Sequence, residues 1–129
     1  GSGPDELWLR APGTLPQEPA AALHATVALG NLTPLNAAVR RLSGLSPHIL
    51  RGNSASALVG ALRVLLTQAP HPPYPVTGLV RALLDREPLT GAGVFTAAGR
   101  TLAFRRSSCC LYYRAPGGGL CGDCVLHDR

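Results

Sequence analysis

Hydrophobic residues recur at the three- and four-residue spacing of amphipathic helices through much of the chain. An Ala-rich segment at 20–29 is predicted to form the first helix, and Gly30-Asn31 is predicted to end it. Thr33-Pro34 places an N-cap residue before a proline at the first helical position. A second helix is therefore expected from there to about Leu42.

Two more helices are predicted before Pro88. Ser46-Pro47 repeats the start signal, and leucines follow at helical spacing over 49–67. Gly52-Asn53 interrupts this pattern, so we expect one broken helix or two short ones. Residues 71–75 are predicted to be a loop because their prolines forbid regular structure, and 76–86 is predicted to be the last helix.

The C-terminal third has a different texture. Two short runs rich in strand-forming residues flank a glycine turn, which predicts a β-hairpin at about 93–105. The predicted fold is mainly α, a compact helical body whose small hairpin leads into an irregular C-terminal segment. Residues 1–3 look like a tag remnant, 4–19 read as an extended lead-in, and 20–129 are expected to form a single domain.

Composition and charge narrow the class of protein. With 46% hydrophobic and 15% charged residues in 129, the chain suits one folded core and excludes charge-driven disorder. No run of about 18 apolar residues predicts a membrane span, and no signal peptide opens the chain, so a cytoplasmic location is expected. The net charge of the chain is +5, and all 12 basic residues are arginines. They are scattered along the sequence, which argues against nucleic acid as a partner.

Candidate chemistry is concentrated in four cysteines near the C-terminus, spaced C-C-x10-C-x2-C. Three consecutive glycines between them allow sharp turns and close backbone approach. Disulfides are one interpretation, although adjacent cysteines do not readily bridge each other. Structural zinc usually takes two C-x2-C pairs, and only one is present here. An iron–sulfur cluster held by four thiolates is the third interpretation, and His127 is a further candidate ligand.

The residues around these cysteines resemble a known family. The segment 105–126, RRSSCCLYYRAPGGGLCGDCVL, is similar to the C-terminal signature of the FhuF-like ferric-siderophore reductases. The helical stretch around Gly52-Asn53 and the run 89–93 also resemble that family, so the similarity spans about 45–126. It implies a 2Fe–2S cluster bound by 105–126, with the four cysteines as ligands: Cys109, Cys110, Cys121 and Cys124.

The resemblance also implies a reaction. We expect an oxidoreductase of iron uptake that transfers one electron to a ferric siderophore, of hydroxamate type, and so releases Fe(II) in the cytoplasm. The electron donor is expected to be a ferredoxin or a flavin reductase, because the chain has no nicotinamide or flavin motif of its own. Candidate residues for tuning the cluster or contacting the substrate are Arg105, Arg106, Arg114, Tyr113 and Arg51.

Two other functions stay open at this point. The same cluster would serve equally in a non-catalytic sensor or binding module, and a zinc ion in place of the cluster would make the chain an interaction domain. Members of the family are commonly longer than this chain. A further N-terminal region or a partner chain is therefore expected to complete the reductase.

Overall fold

The computed structural model describes residues 18–126. The predicted tag remnant, nearly all of the extended lead-in and His127 lie outside the described residues. The described part is mainly helical and carries one two-stranded antiparallel sheet. This confirms the predicted fold class.

The first helical region is longer than predicted. Helix α1 (Pro19–Leu23) continues without a break through a π-helical stretch, His24–Leu32, into α2 (Thr33–Ser43). The prediction that Gly30-Asn31 ends the first helix is therefore wrong.

Side chains inside the helical region explain why it continues. The Asn31 amide donates to the carbonyl oxygen of Thr26 at 2.6 Å, and the Thr33 hydroxyl donates to that of Ala28 at 2.9 Å. Both bonds reach five residues back, as the wide π turn does. The π-helical stretch ends two residues before Pro34, whose ring does not fit against the carbonyl group four residues earlier in a regular α-helix.

Helix α3 (Pro47–Gln68) is the central element of the fold. Gly44 ends α2 in the left-handed conformation, with φ of 68°. The hydroxyl of Ser46 then accepts from the backbone N–H of His48 at 3.2 Å, which confirms the predicted N-cap. Helix α3 runs unbroken through Gly52-Asn53, so the predicted interruption is wrong; the contacts of these two residues, described below, give the reason.

The remaining elements follow the predicted pattern. Helix α4 (Val76–Leu84) follows the proline-rich loop, and strands β1 (Gly93–Ala98) and β2 (Thr101–Arg106) pair antiparallel, with Gly93 opposite Arg106. The turn uses Gly99 at φ 57°. The buried core joins α3, α4 and the hairpin; its members are Ala55, Val59, Leu62, Val80, Ala92 and Phe104.

Helix α3 is long and apolar enough to cross a membrane, judged by length and composition alone. The central helix of a globular core passes the same test, and Ala55 and Val59 of α3 are fully buried in this one. The absence of a membrane span therefore stays a prediction.

Candidate metal centre

The cysteine-bearing segment is attached to the hairpin where β2 ends. The backbone N–H of Arg106 donates to the carbonyl oxygen of Asp123 at 3.0 Å, and that of Ser107 donates to Ala92 at 2.9 Å. The chain then runs irregularly, apart from a 3-10 turn at Tyr112–Arg114. The first cysteine pair thus follows the end of β2. The second pair flanks Asp123, whose carbonyl oxygen is hydrogen-bonded to Arg106 of β2.

All four cysteines are free thiols, and Cys124 is buried. Three of the sulfur atoms accept a hydrogen bond from a backbone N–H two residues later. The distances are 3.3 Å from Leu111 N to Cys109 Sγ, 3.4 Å from Tyr112 N to Cys110 Sγ and 3.3 Å from Leu126 N to Cys124 Sγ. Such hydrogen bonds stabilise the thiolate form that binds metal.

Cys110 and Cys121 connect the two pairs of cysteines. Burial raises the pKa of Cys110, but the Tyr112 amide, a hydrogen bond from the Cys121 thiol and the positive charge of Arg106 together bring that pKa below its ordinary value. Burial and the hydrogen bond to Cys110 raise the pKa of Cys121. Cys110 is therefore the acceptor and the more thiolate-like sulfur of the two.

The structure does not bring the four sulfurs into one finished coordination shell. Within residues 18–126, no group of three or more His, Cys, Asp or Glu side chains is arranged to hold a metal ion. The donor chemistry nevertheless fits a cluster that takes four thiolates. Four unbridged thiols lie on one segment, three of them are already capped by amide groups, and one contact joins the two pairs.

The glycines between the cysteines have a packing role. Gly117 takes a left-handed φ of 72°, and a Cβ at Gly118 would overlap the carbonyl oxygen of Tyr112. Close approach by the backbone was predicted here, and the structure shows that its target is the 3-10 turn. Leu111 also has a positive φ, 65°, which is uncommon for a residue with a side chain.

Arg106 lies at the centre of a set of contacts between β2, α3 and the start of the cysteine segment. Its side chain is only 3% exposed. The guanidinium donates to Asn53 Oδ1 at 2.7 Å, to the carbonyl oxygen of Ile49 at 3.2 Å and to that of Ser108 at 2.9 Å. We call these residues, together with Gly52, the Arg106 contact site.

Gly52 makes room for this guanidinium. A Cβ at Gly52 would lie 2.5 Å from Arg106 Nη2 and 2.6 Å from Ser108 Oγ. The Ser108 hydroxyl donates to the carbonyl oxygen of His48 at 2.8 Å, which ties the chain just before Cys109 to the first turn of α3. The Gly52-Asn53 pair is thus a binding surface for Arg106 on an intact helix.

A second contact attaches the other cysteine pair to α3. Both terminal nitrogens of Arg63 lie near Asp123 Oδ1, at 3.3 and 3.2 Å. Asp123 sits between Cys121 and Cys124, and its side chain is 10% exposed. Sequence analysis missed this pair, because sixty residues separate its members and neither belongs to a charge cluster.

The other predicted residues lie in different places. Arg105 is exposed on β2, and Arg114 is exposed and donates to the hydroxyl of Tyr113 at 3.1 Å. Tyr113 itself is 44% exposed. Arg51 donates to the carbonyl oxygen of Thr90 at 3.3 Å. Of the predicted arginines, Arg106 is the one that the structure buries against α3.

Two cavities adjoin this region and share Arg63 and Leu102 in their linings. The larger, about 980 Å³, lies between the proline-rich loop and the hairpin turn and includes Arg100. The smaller, about 550 Å³, follows β2 and includes Arg105 and Cys124. The smaller cavity therefore lies beside the second cysteine pair.

The comparisons with known proteins point to the same segment. Residues 106–126 match the family model described as the FhuF 2Fe-2S C-terminal domain. No curated protein and no solved structure matches the chain. The match begins at Arg106, contains all four cysteines and confirms both the predicted resemblance and the 2Fe–2S cofactor. The C-terminal segment of this protein is thus similar to the FhuF 2Fe–2S C-terminal domain, which supports a FhuF-like family for the chain.

Proposed function

We propose that this protein reduces ferric siderophores by one electron and so releases their iron as Fe(II). The observation that carries the proposal is the match of residues 106–126 to a FhuF 2Fe–2S domain. When bound, a 2Fe–2S cluster supplies one-electron transfer, which is the unit of this reaction. The chain therefore belongs functionally to iron uptake.

The reaction needs no bond to the protein. A siderophore of hydroxamate type holds Fe(III) through hard anionic oxygens, and the softer, less charged Fe(II) is held less tightly by such ligands. One electron reaches the protein from a ferredoxin or a flavin reductase, and one electron leaves it to convert Fe(III) to Fe(II). The siderophore is left without a chemical change and loses its metal.

The four cysteines would hold the cluster as two pairs, each kept in place by its own contacts with α3. Ser108 and Arg106 fix the start of the first pair, and the Arg63–Asp123 ion pair fixes the turn that carries the second. The backbone N–H groups directed at sulfur stabilise thiolate charge. These contacts support attachment of both cysteine pairs to α3 before a cluster binds, and the four sulfurs then close around the cluster.

The cavity along β2 is the place where the siderophore would approach the cluster. Its charged lining residues are Arg63, Arg105 and Asp123, and the adjoining cavity adds Arg100. The guanidinium groups of these arginines are hydrogen-bond donors suited to the oxygen atoms of a ferric chelate. Cys124 lines the same cavity, so a chelate bound there would lie against the cluster-binding segment.

The test uses the protein reconstituted under anaerobic conditions and reduced with dithionite, with excess reductant removed. Ferrioxamine is added as the hydroxamate probe, a ferrous chelator traps the released iron, and the cluster absorbance is followed. We expect about one Fe(II) to be trapped for each cluster reoxidised, and the apoprotein is the control. A loaded, reduced protein that stays reduced with ferric siderophores would contradict the proposal and favour a non-catalytic sensor or binding module.

A further inference from the structure

We propose that Asn53 is a positioning residue, which holds Arg106 as a fixed positive charge beside the cluster thiolates and thereby raises the reduction potential of the cluster. The inference deepens the proposed function and rests on its cluster at residues 106–126. In this inference the Gly52-Asn53 pair of α3 holds the Arg106 guanidinium in place. The pair lies more than fifty residues from the first cysteine in sequence.

Within residues 18–126, no carboxylate forms an ion pair with Arg106. Its guanidinium is nearly fully buried, and its hydrogen-bond acceptors are a side-chain amide, a hydroxyl and two backbone carbonyl groups. A buried charge is expensive unless it is hydrogen-bonded or paired. Neutral acceptors satisfy the N–H groups of Arg106 and leave its full positive charge in place.

Arg106 carries this charge close to the cysteine segment. Arg106 is the last residue of β2 and stands three residues before Cys109. Its backbone N–H donates to Asp123, which lies between Cys121 and Cys124. The guanidinium itself donates to Ser108, the residue directly before Cys109, so the charge lies next to the first cysteine pair. Arg105 and Arg114 are also close in sequence, but both are exposed, so that water and salt screen them.

The positive charge of Arg106 raises the reduction potential of the cluster for an electrostatic reason. Reduction adds one negative charge to the cluster. A fixed positive charge nearby stabilises the reduced form more than the oxidised form, and burial weakens the screening of this interaction. Arg106 therefore favours reduction for as long as its acceptors stay neutral. A carboxylate in place of the Asn53 amide would cancel the charge while preserving the hydrogen bond.

The test is the midpoint potential of the loaded protein, measured by spectroelectrochemistry for the wild type and Asn53→Asp. We expect the equilibrium constant for reduction to fall about fivefold in Asn53→Asp, a shift of ~40 mV to lower potential. Gln68→Glu is the matched control, because it makes the same change of charge at an exposed position of α3. Gln68 lies about 22 Å from Asn53 along the helix and is exposed, so that water and salt screen the added charge.

A second pair of variants isolates the charge even if Asn53→Asp loads poorly. Arg106→Lys retains a positive charge and Arg106→Gln removes it, and we expect reduction to be at least fivefold less favourable in the Gln protein than in the Lys protein. Unfolding of the apoproteins, followed in parallel, should show Asn53→Asp as stable as the wild type, since the hydrogen bond persists.

The outcomes separate this inference from the proposed function. If the wild type takes up no iron and sulfide, the cluster assignment fails and the inference fails with it. If the wild type loads normally but Asn53→Asp shifts the potential no more than Gln68→Glu, the cluster assignment stands and the inference is overturned. Equal potentials for Arg106→Lys and Arg106→Gln would overturn it in the same way.

Discussion

Replacing Gly52 by Ala tests the Arg106 contact site without reference to a metal. In a regular helix this change is favourable by ~1 kcal/mol, because Ala has the higher helix propensity. Here the new Cβ would lie 2.5 Å from Arg106 Nη2 and 2.6 Å from Ser108 Oγ, far inside van der Waals contact. The guanidinium would have to move, although it is buried and held by several hydrogen bonds.

The size of the loss follows from those hydrogen bonds. A hydrogen bond to a charged group is worth ~1.5–3 kcal/mol, and displacing the guanidinium breaks at least the bonds to Asn53 and Ile49. After subtracting the gain in helix propensity, we expect Gly52→Ala to lower the free energy of unfolding by ~3 kcal/mol. If the cysteine segment shifts together with the guanidinium, the hydrogen bond from Ser108 to His48 is lost as well.

The assay is urea unfolding of the apoprotein, followed by circular dichroism. Gly60→Ala is the matched control, because Gly60 is in the same helix and its added Cβ would meet nothing within 4 Å. We expect this control to raise the free energy of unfolding by up to ~1 kcal/mol. A Gly52→Ala protein as stable as the control would refute the packing argument for the Gly52-Asn53 pair.

Three further predictions concern other parts of the fold. Leu89→Ala, at a fully buried side chain, should lower the free energy of unfolding by ~2–4 kcal/mol. Leu42→Ala, at a position 90% exposed, should change it by less than ~0.5 kcal/mol. Similar losses in the two variants would contradict the burial of Leu89 in the core. A double-mutant cycle of Arg63→Gln and Asp123→Asn should give a coupling energy of ~0.5–1 kcal/mol, because the pair is partly exposed, and zero coupling would remove its role in fixing the turn. Two backbone amides at the start of α1 lower the pKa of Glu18 from its ordinary 4.5, so its carboxylate stabilises α1 above that pH and the effect fades as the pH falls through the lowered pKa. The difference in helicity between wild type and Glu18→Gln should therefore vanish in acid, and a difference that persists unchanged at low pH would contradict the cap.

Elements with local start and stop signals were predictable from the sequence. The N-cap at Ser46 and the hairpin around Gly99 each depend on a few adjacent residues. The cysteine motif was predictable for the same reason, since its spacing lies within one short segment. The structure confirms the N-cap and the hairpin, and the family match confirms the 2Fe–2S cofactor, whereas the four cysteines as its ligands stay a prediction.

The failures share a physical cause. Gly30-Asn31 and Gly52-Asn53 both carry local signals for ending a helix, and both are overridden. In the first case hydrogen bonds to carbonyl groups five residues back stabilise a π turn. In the second, Arg106 needs the space above a glycine and the acceptor on Asn53, and it comes from a strand more than fifty residues away. A single sequence gives no sign of such distant contacts, which is also why the ion pair between Arg63 and Asp123 was missed.

The central claim is that residues 106–126 bind a 2Fe–2S cluster, and anaerobic purification followed by absorption spectroscopy with iron and sulfide analysis tests it most directly. We expect a red-brown protein with about two irons and two acid-labile sulfides per chain, bleached by dithionite. Changing Cys109, Cys110, Cys121 or Cys124 to serine should abolish or strongly weaken cluster binding. A colourless protein that carries one zinc ion and no sulfide would contradict the account.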